Sequence, residues 1–410
     1  ANYVGLKNHG ATCYMNCLLQ TLFCLGHFRH IAYSIEVPET DQQAVVSSDD
    51  ISDTLGFDDD RPALPLLVSL QNLFYRLQTS DHAGPQGAVS CRELMRSFGW
   101  DTADAFMQHD AQELNRLLCD RLEEQMKGTP TDGEIKRLFE GEFENYIECL
   151  DVEYKSQRNE TFYDLQLNVR DEAGNDITSL EDSLKDFIRE EVLEGDNAYD
   201  AEGHGKQRAR KGIRFKRFPP VLYIQLKRFM FDPEKMDMCK LNGKMEFPQV
   251  LDLEAFAPGS GKYTLHTVIV HSGGVSSGHY YAFVRVRDGD KSQWVKFDDE
   301  CVSFCNQEAA IADNYGGEDL NVWSYFPYTP DEIRRRSQMG APRIHNAYML
   351  SYVRVDNEKE LLTPPVLNKE GTEYRALIER CTREEKLAEA RKRARYEQMM
   401  RIEVKAVLER

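Results

Sequence analysis

The hydrophobic period of this chain changes once, near residue 135, and that change decides its fold class. Before it, apolar residues recur at helical spacing: Leu18, Leu19, Leu22 and Phe23 follow Cys13, and Leu66, Leu67, Leu70, Leu73, Phe74 and Leu77 fill 64–78. Leu114, Leu117, Leu118 and Leu122 mark a third helix over 111–126. After it, β-branched and aromatic residues at period two predict strands over 143–154, 161–169, 221–229, 263–271, 279–286, 294–297 and 347–355. Pro219-Pro220 blocks a helix ahead of the 221 strand. The expectation is an α+β protein with a helical first lobe of about 135 residues and sheets behind it. With 410 residues, 41% of them apolar, the chain can bury a sizeable core divided into two or three lobes.

Three stretches break the pattern. Residues 39–61 carry eight acidic side chains and few large apolar ones, which predicts a flexible insertion. The Gly/Ser run 272–278 joins two strands as a loop able to gate a site. Residues 373–410 hold 11 basic and 8 acidic side chains, many at i,i+3 and i,i+4, which predicts a long exposed helix acting as a connector or partner-binding arm.

Charge and cysteine usage then narrow the classes of function. The 51 basic and 69 acidic side chains give a net charge of −18, which disfavours a nucleic-acid groove and favours a positively charged partner. No run approaches the roughly 18 apolar residues of a membrane helix, so a soluble chain is expected. The N-terminal Ala1-Asn2-Tyr3-Val4-Gly5 has neither an initiator Met nor a signal-peptide pattern, and reads as a segment of a longer protein. Ten cysteines are scattered with no C-x-x-C pair, the pattern of a reducing compartment. The string Gly259-Ser260-Gly261-Lys262 is no phosphate loop, because Tyr263 stands where Ser or Thr is required. The basic run from Lys206 to Arg217 reads as one face of a hairpin, and the Arg391–Arg395 run as a weak nuclear-import signal.

Chemistry concentrates around one thiol. Asn8-His9-Gly10-Ala11-Thr12 leads Cys13 into a helix start, where unpaired N–H groups and the helix dipole favour thiolate. An ordinary thiol is only slightly ionised at neutral pH, so a nucleophile also needs an imidazole and a group to orient it. His279 opens a strand after the Gly/Ser loop, and Asp298 and Asp299 end the strand 294–297, giving a Cys, His, Asp order. Each of these residues alone has an ordinary structural reading, as filler, satisfied His or turn carboxylates. Spacing does not separate His279 from His271 across the same loop, and His9 is a third candidate. Asn8 either makes the turn or donates, with the Cys13 N–H, to an oxyanion.

Four ordered strings, NHGATCYMNCLLQTLF, VLYIQLKRF, HTVIVHSGGVSSGHYYAFV and WVKFDDE, resemble the ubiquitin-specific protease family. The resemblance implies a papain-like thumb, palm and fingers architecture over 1–356. The thumb is expected at about 1–140, the fingers at about 141–218 with adjoining strands and the palm at about 219–356, with a charged connector helix at 357–410. It implies hydrolysis after the C-terminal Gly of ubiquitin, with Cys13 as nucleophile, His279 as base, Asp298 orienting it and Asn8 as oxyanion donor. Asp299 falls at an adjacent assisting position, and Asp110, Glu113, Phe229 and Tyr280 where the family lines the channel for ubiquitin's basic tail. Many members hold a finger zinc with two C-x-x-C pairs. Here those positions read Cys149, Val152, Asp200 and Gly203, with His204 beside them, so no metal or other cofactor is expected. The resemblance further implies a free state with a misaligned triad, switched by loops at 97–106 and 272–278. The expected partners are ubiquitin, ubiquitinated proteins and flanking regulatory domains reached through the connector helix, with neither nucleic acid nor membrane, in nucleus and cytoplasm. The alternatives are a catalytically silent ubiquitin-binding scaffold and a protease for another ubiquitin-like modifier.

Overall fold

The computed structural model describes residues 3–37, 64–80, 87–99, 111–233, 236–275, 277–289, 291–319, 341–368, 371 and 373–408. The acidic insertion 39–61, Asp110 and residues 100–106 of the first expected switch loop lie outside the described residues.

The helical lobe contains α1 (Cys13–Cys24), α2 (Gly26–Ser34), α3 (Leu66–Thr79), α4 (Arg92–Ser97), α5 (Ala111–Met126) and α6 (Glu134–Phe139). The expected core-facing stripe of α1 is exceeded, since every residue from Cys13 to Cys24 is buried. A helix buried all round needs neighbours on every side, and α1 has the other helices on one side and the large sheet on the other.

In chain order the strands are β1 (Gly141–Cys149), β2 (Lys155–Phe162), β3 (Asp164–Asn168), β4 (Glu191–Leu193), β5 (Tyr199–Ala201) and β6 (Gly205–Gln207). They continue as β7 (Ala209–Arg217), β8 (Val221–Lys227), β9 (Phe229–Asp232), β10 (Asp237–Lys240), β11 (Val250–Asp252) and β12 (Lys262–Gly273). The last are β13 (Gly278–Asp288), β14 (Lys291–Asp298), β15 (Cys301–Cys305), β16 (Glu318–Asp319), β17 (Ala341–Pro342) and β18 (His345–Arg354). The large sheet runs β15-β14-β13-β12-β18-β8-β3 with β11 on β12, antiparallel except for the β3–β8 pair. It divides the core. Ile269, Tyr280, Ala282, Val284 and Phe297 face the helical lobe, whereas Val268, Val270, Phe283 and Trp294 face a second apolar cluster on the other side. Alternation with both faces buried explains why these strands read as nearly continuous apolar runs.

A smaller sheet, β2-β1-β7-β4, projects from the first. The single strand expected over 143–154 ends at Cys149, and the chain turns through Leu150–Glu153 into β2. Arg208 fixes that turn by binding Asp151 through two hydrogen bonds of 3.0 Å. The basic run lies mostly on β7, where Arg214 and Lys216 pair with Glu144, and Arg210 and Lys211 with Glu190 and Glu191.

The expected terminal helix runs over Arg375–Leu408; its first turns are docked, and the described residues after Glu384 are exposed or half-buried. Leu377, Ile378 and Cys381 are buried against the helical lobe, and Arg380 and Glu384 bond Gln71 and Asn72 of α3.

Candidate active site

The Asn8–Thr12 turn is built on one amide. Asn8 Oδ1 accepts from Gly10 N at 3.0 Å, Thr12 Oγ1 at 3.2 Å and Thr12 N at 3.4 Å. Gly10, at φ 124°, supplies the left-handed backbone that the turn requires. The chain then enters α1 with Cys13 as its first residue, 3% exposed, on the helix end whose dipole favours an anion. His9 does not join the thiol; its Nε2 bonds Ser90 Oγ at 2.8 Å.

The large sheet brings the other groups to that helix end. His279 is the second residue of β13 and Asp298 the last of β14. His279 Nε2 lies 2.7 Å from Asp298 Oδ1, and Cys13 is near enough to influence the charge of the imidazole. The Tyr280 backbone N–H donates to Cys13 Sγ at 3.4 Å. Asp298 thus anchors the His279 ring, and the backbone of the next residue meets the sulfur.

Electrostatics follow the geometry. The bond to Asp298 and then the influence of Cys13 outweigh partial burial and raise the pKa of His279 to about 10. The same His279 bond, helped by Lys296 Nζ at 2.7 Å from Oδ2, lowers Asp298 to about 2 against the opposing effect of burial. Imidazolium and carboxylate are thus the favoured forms across the neutral range.

His271 has a different environment. It is 2% exposed, and burial, then the charges of Lys240 and His279, pull it down to about 4. Its ring packs on Phe229 and Tyr280 with centroids 5.1 and 4.7 Å apart. A Cβ at Gly278 would fall 2.0 Å from its Nε2, so the ring lies directly under the chain that presents His279. The ambiguity left by spacing has a geometric answer: His279, not His271, bonds Asp298, and the residue after it meets the thiol.

The two adjacent carboxylates divide their work. Asp299, at φ 51°, turns the chain after β14 and serves the opposite wall. Its Oδ2 accepts from Asn8 Nδ2 and its Oδ1 from Asn16 Nδ2, both at 2.8 Å. Its carbonyl accepts from Leu6 N at 2.9 Å, tying the turn to the N-terminal segment. Asn16 is buried, and its Oδ1 accepts from Cys91 Sγ at 3.4 Å. Sequence reasoning missed Asn16 and Cys91. The only signal for Asn16 was a polar residue within the buried α1, which it shares with Gln20 and Thr21.

Of the expected tail-channel residues, Tyr280 is 5% exposed beside the thiol and Phe229 is half-buried against His271 and Tyr348. Glu113 is exposed in the first turn of α5.

Among the described residues, the only His, Cys, Asp and Glu side chains close enough to share a metal are His279, Asp298 and Asp299. All four carboxylate oxygens of this group already accept N–H bonds, one of them from an ammonium, which makes it a hydrogen-bonding relay and a poor cation cage. Near Cys149, Val152, Asp200 and Gly203, the tip of the small sheet packs Tyr154 against Tyr199 and His204, at centroid distances of 6.2 and 6.1 Å.

Comparison with known proteins places the chain in a family. The family described as ubiquitin carboxyl-terminal hydrolase matches residues 4–352. The chain is 43% identical over 394 residues to ubiquitin C-terminal hydrolase 12 of Arabidopsis thaliana, covering 94% of this chain and 32% of that protein. It is 40% identical over 412 residues to ubiquitin carboxyl-terminal hydrolase 7 of Drosophila melanogaster, covering 99% and 32%. It is 39% identical over 415 residues to ubiquitin carboxyl-terminal hydrolase 15 of Saccharomyces cerevisiae, covering 95% and 30%. The chain thus spans about a third of the length of these relatives.

Proposed function

Because the chain belongs to the ubiquitin carboxyl-terminal hydrolase family, we propose that it is a thiol-dependent deubiquitinase cleaving peptide or isopeptide bonds after the C-terminal Gly of ubiquitin. The observation that carries this reading is the meeting of one helix start and two strands: His279 is bonded to Asp298, and the backbone N–H of the next residue, Tyr280, reaches the Cys13 sulfur.

In the proposed reaction the Cys13 thiolate attacks the Gly carbonyl carbon. The oxyanion is held by the second N–H of Asn8 and by the Cys13 backbone N–H. His279 gives its proton to the departing lysine amine as the C–N bond breaks, leaving a thioester. The now neutral imidazole takes a proton from water, hydroxide adds to the thioester, and collapse returns the thiolate and free ubiquitin. Asp298 keeps the ring oriented and Asp299 keeps the Asn8 amide oriented, with its Oδ1 turned towards the Gly10 and Thr12 donors.

Asp110, Glu113, Phe229 and Tyr280 are proposed to line the path of ubiquitin's basic tail, which the net charge of −18 favours electrostatically. We take the helical lobe as thumb, the small sheet as fingers and the large sheet as palm, within a catalytic unit over 1–356. The strings at 97–114, 194–205 and 345–354 favour a place within the family near the herpesvirus-associated ubiquitin-specific protease. Flanking regulatory domains acting through the terminal helix and residence in nucleus and cytoplasm, where ten free thiols stay reduced, belong to the same proposal.

Turnover of a fluorogenic ubiquitin amide by the wild type and its loss in Cys13→Ala test the reaction. Ubiquitin carrying a C-terminal electrophile should label Cys13. Binding of ubiquitin with neither turnover nor labelling would identify a scaffold, and preferred hydrolysis of another ubiquitin-like amide would reassign the substrate.

A further inference from the structure

Lys240 ends β10, opposite Phe229 of β9, and its ammonium is bonded to main chain alone among the described residues. Nζ donates to His271 O at 2.9 Å, Gly273 O at 3.2 Å and Ile344 O at 2.6 Å. Three N–H bonds meet three carbonyls, so the donor capacity of the group is fully used. Burial, reinforced by the nearby Arg228 charge, draws its pKa down to about 7, the mark of an amine taken out of water to reach those acceptors. Arg228 itself is committed elsewhere, to the carbonyls of Ala347, Leu241, Gly243 and Tyr315.

The three carbonyls lie where the catalytic hairpin is least able to hold itself. In the β12–β13 ladder His271 pairs with Tyr280, Ser272 with His279 and Gly273 with Gly278. Lys240 therefore grips the two residues on either side of the one opposite His279. Beyond that point the chain runs through a Gly/Ser loop, with Gly273 at φ 111° and Gly274 N bonded to Ser277 O at 3.1 Å. Glycine loops have high conformational freedom and resist local ordering. Ile344 O also accepts from Gly273 N at 3.1 Å, so the lysine joins the end of β12 to the start of β18 through a shared acceptor.

We infer that Lys240 is a positioning residue for the thiol–imidazole pair: its clamp on His271, Gly273 and Ile344 holds the end of β12, and the ladder transmits that register to His279 and to the Tyr280 N–H on the Cys13 sulfur. The inference deepens the proposed function and rests on it for the role of the pair, but the geometry it invokes can be read without ubiquitin. Misplacing a catalytic group by about 1 Å costs up to ~10²-fold in rate.

The test compares the wild type with Lys240→Met, which keeps the apolar stem and removes the donors, and Lys240→Arg, which keeps a cation and donors. The first readout is alkylation of Cys13 by iodoacetamide as a function of pH, followed by peptide mass spectrometry. Exposed Cys301 serves as the control within the same molecule and buried Cys119 as the reporter of unfolding. The second is kcat and KM for a ubiquitin amide. Lys240→Met is expected to lower the Cys13:Cys301 alkylation ratio at pH 7 about tenfold. It should lower kcat by a similar factor with KM within about twofold, and Lys240→Arg should recover most of both. If Lys240→Met exposes Cys119 to the reagent, Lys240→Gln is measured by the same criteria. An unchanged Cys13:Cys301 ratio and unchanged kcat in a folded donor-deficient variant overturn the inference and leave the proposed function standing. A fallen ratio in a protein whose wild type hydrolyses no ubiquitin amide supports the positioning role and overturns the proposed function instead.

Discussion

Replacing Asp299 by Ala should damage the oxyanion side of the site and leave the base untouched. The Asn8 amide is pinned from both ends: Oδ1 by the Gly10 and Thr12 donors, and Nδ2 by Asp299 at 2.8 Å. Removing an oxyanion donor outright costs ~10²–10³ in kcat, about 2.7–4 kcal/mol. Asp299→Ala leaves the donor in place and removes one charge-assisted hydrogen bond that orients it, worth about 1.5–3 kcal/mol. At 1.4 kcal/mol per decade, the expected loss is roughly 10- to 150-fold in kcat, with little change in KM. The two groups act as one unit, so Asn8→Ala combined with Asp299→Ala should be little slower than Asn8→Ala alone, and a double-mutant cycle on ubiquitin-amide hydrolysis measures the coupling. Because Asp298, Lys296 and His279 keep their bonds, the pH profile of Asp299→Ala should superimpose on that of the wild type after scaling. Multiplicative single losses in the double variant, or a displaced pH profile in Asp299→Ala, would refute the division of labour between the two carboxylates.

Three further outcomes are expected. Asp298 is the largest cause of the raised His279 pKa of about 10, and that imidazolium persists below this value and is lost as pH rises through it. Asp298→Asn should therefore move the alkaline limb of kcat/KM to lower pH and reduce kcat, whereas an unmoved limb would assign the shift to Cys13 alone. Gly278→Ala would place a methyl 2.0 Å from His271 Nε2, on a ring hemmed in by Phe229 and Tyr280. It should cost at least about 1–3 kcal/mol in stability from overpacking and lower turnover, measured by denaturant melts and kinetics. Leu377→Ala and Ile378→Ala each remove a buried side chain that docks the terminal helix on α3, and each should cost about 2 kcal/mol or more by thermal melting, a loss absent if the helix is merely a solvated arm.

The parts of this protein that were legible in the sequence are those in which one element carries its own signal. Helix α5 falls over the expected 111–126, and the Asn8–Asn16 string contains both the turn and the helix start that bury Cys13. The terminal helix is legible from its i,i+4 charges, but the docking of its first turns is not, because the apolar cluster Leu377, Ile378 and Cys381 is too brief to register as a stripe. The hairpin at 141–162 was merged into a longer strand because its turn is stabilised from outside by Arg208. Contacts between distant segments leave no periodic trace at all: Asn16 meets Asp299 across 283 positions, and Lys240 reaches Ile344 across 104.

The Asp298-Asp299 pair shows why such contacts escape a linear reading. In an extended strand, neighbouring side chains point to opposite faces, and two adjacent carboxylates would be expected to serve one functional side at most. Here Asp298 is still in the ladder, paired with Cys301, and its side chain meets His279 from the neighbouring strand. Asp299 leaves the ladder at φ 51°, a conformation that Asp tolerates better than most residues, and its carboxylate swings to Asn8 and Asn16 at the other wall. One change of backbone handedness between two identical residues thus supplies both the orienter of the base and the orienter of the oxyanion donor. The identity of the two letters hides the difference in their work, and only the turn reveals it.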